Sequence, residues 1–102
     1  MSVSSNLTVF GPLTGSGTKD LIHTAAGTEY VAITFFNRNA SSRTLSIWLG
    51  GNGNDNQILD AALLVTKGTC VLEVKLALND TIYAEGSAAT SINVIKEVDS
   101  LT

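Results

Sequence analysis

The stretch Gly50-Gly51-Asn52-Gly53-Asn54-Asp55-Asn56-Gln57 gathers the residue types that hold calcium, cradle phosphate or shape tight turns. A calcium loop of the helix-loop-helix kind needs acids at alternate positions and a closing Glu. Asp55 is the only acid in this stretch, with the next at Asp60, and one carboxylate with amide oxygens holds a hard cation weakly. A phosphate loop needs a Lys followed by Ser or Thr at the mouth of a helix. This stretch has none of them, and its flanks read as strand. Gly and Asn tolerate positive φ, so the residues favour a tight loop leaving a strand end. Loops carry contacts, which makes Asn52 and Asn54 candidate interface residues.

Other reactive groups fall short of a constellation. Acids such as Asp55, Asp60, Asp80, Glu85 and Asp99 sit at expected turns or on outward strand positions, where carboxylates are ordinarily solvated. His23 is the only histidine, and no Gly-x-Ser-x-Gly elbow accompanies it. Cys70 is the only cysteine, so no intrachain disulfide forms. Its alternation with Leu72, Val74 and Leu76 marks it as a small buried apolar residue. The chain is expected to be no enzyme and to need neither metal nor cofactor.

Composition narrows the partners. The 102 residues suit one domain, large enough to hold a core without staples. Charged residues make up 15%, below the roughly 25% usual in globular domains. The six basic residues, Lys19, Arg38, Arg43, Lys67, Lys75 and Lys96, are scattered, and the net charge is −3. Nucleic acid needs a basic stripe to neutralise phosphates, and an anionic membrane surface needs much the same; neither is expected. The N-terminus lacks the basic and apolar segments of a secretory signal. No apolar run approaches the roughly 20 residues that span a bilayer.

The elements that would position these groups read as strands. Residues 1–18, MSVSSNLTVFGPLTGSGT, hold no charge and the only proline. They read as an N-terminal arm with a short strand at LTVF, and Val9, Phe10 and Leu13 as its docking residues. Residues 19–102 read as one β-sandwich domain. In EYVAITFFNR, Val31, Ile33 and Phe35 face one way and Tyr30, Ala32, Thr34 and Phe36 the other. RTLSIWL sets Leu45, Ile47 and Leu49 against Thr44, Ser46 and Trp48. CVLEVKLAL, TIYAEGS and SINVIKEV continue this period of two. NASS, TKGT and LNDT read as turns, and DSLT as a free tail. ILDAALL is ambiguous between a short helical turn and a strand, with its β surroundings favouring an irregular edge. The class is all-β: an antiparallel sandwich, jelly-roll or immunoglobulin-like, of about seven or eight short strands.

Trp48 and Tyr83 fall opposite the aliphatic residues of their strands. Aromatics on a sheet face anchor protein interfaces or stack on sugars. Packing or a subunit contact is favoured, because no cluster of sugar-binding acids and amides accompanies them in sequence.

The segments Asn37 to Ser42, Leu45 to Leu49, Gly50 to Asn56, Gly68 to Leu76, Asn79 to Ala84 and Ala88 to Val98 form an ordered series. Together they resemble small β-sandwich structural proteins of tailed bacteriophages, over about residues 19–99. The resemblance implies a non-enzymatic virion protein, made in the host cytoplasm and placed on the capsid surface. Its expected role is decoration: binding the major capsid protein, or another virion protein, as a homo-oligomer that capsid geometry would make a trimer. A tail or neck component, or a glycan-binding sandwich module, are the alternatives.

Overall fold

Eight β-strands account for nearly all regular structure in the computed structural model, which describes residues 4–101. They are β1 (Ser4–Pro12), β2 (Asp20–Thr24), β3 (Glu29–Asn37), β4 (Arg43–Leu49), β5 (Gln57–Leu64), β6 (Thr69–Leu76), β7 (Thr81–Gly86) and β8 (Ile92–Ser100). A single 3-10 turn, Asn54–Asn56, precedes β5. The first sheet runs β1-β8-β3-β6 and the second β2-β7-β4-β5, with every pairing antiparallel. The chain alternates between sheets for its first four strands and returns through partners of those strands. That is the strand order of a jelly roll, which decides between the two sandwich types left open above.

The core follows from the period of two. Val31, Ile33 and Phe35 of β3 are fully buried and meet Leu45, Ile47, Ile82, Ala84, Ile92 and Val94 between the sheets. Cys70, Leu72 and Val74 of β6 pack against this cluster half-buried. Asn37 closes one end of the core: its Nδ2 donates to the carbonyls of Ser41, Leu64 and Val65. Its Oδ1 accepts from the Asn39 amide, and Asn39 Oδ1 accepts from the Ser41 amide. The expected NASS turn is thus held by side chains bonding nearby backbone.

The segment read as an arm is hydrogen-bonded into the first sheet. Residues 4–12 pair with β8, with a bulge between Val9 and Gly11. Leu13 then turns inward to full burial, and its amide donates to the Ile92 carbonyl. Gly15 shows why this turn needs glycine. Its φ is +129°, and a Cβ there would lie 2.9 Å from the backbone of Ala89. The tail is also tied: β8 runs to Ser100 and the Leu101 amide donates to the Thr28 carbonyl, so Asp99, Ser100 and Leu101 of the expected free tail DSLT are held, while Thr102 lies outside the described residues. The ambiguous ILDAALL is an edge strand with two register irregularities, and Ala61, at φ +47°, lies in the one between Leu59 and Ala62.

Phe35→Ala removes the largest fully buried side chain. It should cost about 3–5 kcal/mol through lost transfer energy and the cavity left behind. Chemical denaturation checks this as a lower midpoint with an unchanged slope.

Candidate functional site

Three surfaces hold side chains that the core does not account for. The first is the outer face of the first sheet. Strand pairing aligns Val9 with Ile95, Ile95 with Thr34 and Thr34 with Val71. This places one uncharged row across all four strands. Val9 is 70%, Ile95 41% and Val71 56% exposed, and Leu7 at 69% flanks the row. Phe10 at the β1 bulge is exposed as well. β1 carries no charged residue along its edge, although charge is one of the usual protections of an edge strand. Charges gather at the other end of the face, where the Tyr30 hydroxyl donates to the Glu73 carboxylate. That hydrogen bond holds the phenol proton and raises the Tyr30 pKa.

The second is a groove of about 400 Å³ on the outer face of the second sheet. Thr44, Ser46 and Trp48 of β4 lie beside Glu85 of β7 in its lining. The 3-10 turn and the β5 bulge contribute one side, and the β1–β2 loop the other. Each wall is pinned. The Ala61 amide donates to Ser46 Oγ at 2.8 Å, and the Gly17 amide donates to Glu85 Oε2 at 2.8 Å. Lys19 reaches in from the β1–β2 loop. Its Nζ stands 4.5 Å from the Trp48 ring centre and donates to the Asn52 carbonyl at 2.7 Å. The glycine-rich stretch is a self-bonded turn: Asn56 Nδ2 donates to the Leu49 carbonyl and Gly50 adopts φ +83°.

The third is a polar tie between the sheets. Lys96 follows the inward positions Ile92 and Val94 on β8, and its Nζ lies 3.0 Å from His23 Nδ1 and 2.8 Å from the Ile22 carbonyl oxygen. His23 Nε2 lies 2.7 Å from Glu29 Oε1. An ammonium has no lone pair to accept with, so Nδ1 accepts from Lys96 and Nε2–H donates to Glu29. This chain joins β2 of one sheet to β3 and β8 of the other. Burial lowers the Lys96 pKa, and the Glu29 carboxylate partly opposes that shift. The sole histidine is therefore held by its neighbours within the packing.

The seven residues expected at an interface separate into different places. Val9 and Phe10 are exposed on or beside the apolar row. Leu13 is fully buried and belongs to the core, because the chain crosses inward after β1. Trp48 is also buried, 4% exposed, although it lies on an outer face; Lys19 packs over its ring. Tyr83 is half-buried as its direct cross-strand partner. Asn52 and Asn54 are exposed in the loop, and only Asn54 lines the groove. Cys70 lines a separate apolar cleft of about 250 Å³ with Leu59, Ala62 and Leu63, where the two sheets part at β5 and β6. Among the described residues, no three His, Cys, Asp or Glu side chains are grouped to hold a metal.

Sequence reading missed Ile95, Val71 and Leu7, and it missed Lys19, Asp60 and Glu85 as groove residues. Val71 was legible as an apolar residue between the inward Cys70 and Leu72. The groove set was not, since its members come from four separate segments.

No family model and no curated protein matches the chain. Among solved structures, the fold is similar to a protein of Bacillus endospore appendages, described as a novel family of disulfide-linked pili. The TM-score is 0.60 at 12% identity, over 96% of this chain and 86% of that one. It is also similar to part of the exo-β-1,3-galactanase of Phanerochaete chrysosporium, with TM-score 0.50 and 18% identity. There the match spans 97% of this chain and 27% of the galactanase chain. At such identities the likeness is one of fold.

His23→Ala leaves Glu29 Oε1 and the Lys96 ammonium without their shared partner. It should cost about 1–3 kcal/mol, the penalty for orphaned buried polar groups, read as a lower denaturation midpoint. A base with a lowered folded pKa binds fewer protons folded than unfolded. Its contribution to stability therefore rises with pH from the lowered value up to the ordinary 10.5. Lys96→Met should flatten this alkaline rise relative to wild type, measured by thermal melts across that range.

Proposed function

We propose that the chain is a non-enzymatic structural subunit of a tailed-phage virion, acting as a decoration protein on the outside of the assembled head. The observation that carries this reading is the uncharged row Val9–Ile95–Thr34–Val71 on the outer face of the first sheet. Three of its four side chains are apolar and well exposed. Exposed apolar surface of this kind marks protein contact, and each apolar side chain removed from water contributes on the order of 1–2 kcal/mol. The row lies on hydrogen-bonded strands over a packed core, an arrangement that limits the ordering entropy opposing docking.

The resemblance supplies the partner, the major capsid protein. Many equivalent weak contacts over a capsid then sum to a strong reinforcement. A tail or neck position uses the same face against a different virion protein. The homotrimer is part of the same reading, through the symmetry of capsid surfaces. The β1 edge, uncharged and next to the row, is the part of the face best suited to a neighbouring copy.

Co-sedimentation with empty heads tests the reading. Wild type should pellet with heads, and a Val9→Lys, Ile95→Glu variant, which places opposite charges on paired positions, should lose at least about tenfold in affinity while keeping its unfolding free energy within about 1 kcal/mol, as exposed positions do. Wild type that stays in the supernatant, or a double variant that binds equally well, overturns the proposal.

A further inference from the structure

We propose that the groove on the outer face of the second sheet binds a neutral saccharide, with Lys19 as a movable cover over Trp48. The inference is independent of the docking face, which lies on the opposite sheet.

The groove's volume, about 400 Å³, is in the range of small-ligand sites. Trp48 lies in its lining and is 4% exposed, yet its indole Nε1 has no hydrogen-bond partner. A buried donor left unpaired is costly and needs a reason. The groove's lining holds other groups with unused hydrogen-bonding capacity. The Thr44 hydroxyl and the Asn54 amide line the groove. Ser46 Oγ accepts from Ala61 N and keeps its own proton to donate. Glu85 commits one carboxylate oxygen, Oε2, to the Gly17 amide, which leaves Oε1 to accept. Asp60 adds a second carboxylate, bonded to the Gln57 amide at 3.4 Å.

The lining selects the ligand class. Two carboxylates against the single ammonium of Lys19 disfavour a phosphate or another anion. A lining rich in hydroxyls and amides gives an apolar ligand little to bury against. What fits is an uncharged molecule that both donates and accepts at closely spaced positions, beside an aromatic ring. A sugar has those properties: paired hydroxyls for carboxylate and amide, and a C–H face for an indole.

Lys19 is the element that must move. Its ammonium covers the ring at 4.5 Å and is otherwise held by one carbonyl, that of Asn52, in an exposed setting. A cation over an aromatic ring at an exposed site contributes only about 0.5–1 kcal/mol. A ligand that displaces it gains the ring face and gives the indole N–H an acceptor.

Trp48 is the only tryptophan in the chain, so its emission reports on this groove alone. The experiment titrates the full chain with galactose, glucose, N-acetylglucosamine and their β-linked disaccharides, read by tryptophan emission and by calorimetry. The expected result is a saturable response to at least one sugar, with Kd below about 10 mM. Glu85→Gln, which still accepts from Gly17, and Asn54→Ala should each weaken it at least about fivefold with unchanged melting. Lys19→Ala should shift the emission of the free protein to longer wavelength. No saturable response to any of these sugars, or a response that both groove variants leave unchanged, overturns the proposal. Neither outcome bears on head docking, which Val9 and Ile95 test.

Discussion

The register of β3 is the constraint on which the rest of the molecule depends. It is hydrogen-bonded on both sides, to β8 and β6, without a shift over its length. Its inward residues Val31, Ile33 and Phe35 are fully buried. A slip of one position would exchange them for Tyr30, Ala32, Thr34 and Phe36 and expose the core. The same register that buries Phe35 aligns Thr34 with Ile95 and Val71. The part of the row from Ile95 to Val71 is therefore a consequence of how the core is specified.

The second sheet is held less uniformly. β2 and β5 are its edges, and both contain bulges. At β2, Ile22 is the extra residue between Leu21, paired with Tyr83, and His23, paired with Ile82. Ile22 fills the core, while His23 meets Lys96 and Glu29. At β5, the irregularity at Ala61 brings its amide to Ser46 and shapes one wall of the groove. Bulges re-aim side chains at sheet edges, and here they set both the inter-sheet tie and the groove.

Each outer face thus has its own character. One offers apolar side chains on an even sheet, the other a polar depression around a covered tryptophan. The jelly roll is compatible with many roles, and fold alone decides none of them. The two solved neighbours illustrate this, one a pilus protein and the other an enzyme of which the sandwich is only a part.

Alternation and turn chemistry were enough to determine the all-β class, the faces of β3, β4 and β6, and the turns at NASS and LNDT, residues 39–42 and 78–81. Period two and turn chemistry are local properties, and a strand carries them wherever it is placed. The interface set was less legible. Leu13 and Trp48 looked available because sequence shows which face a residue takes, and not what covers that face. Leu13 is buried because the chain crosses to the core after β1. Trp48 is covered in part by Lys19, twenty-nine positions earlier in the sequence, which packs on its ring. The strand order, the row from Val9 to Val71, the Lys96–His23–Glu29 chain and the groove all join residues distant in sequence. They depend on which strands become neighbours, and only the tertiary structure decided that.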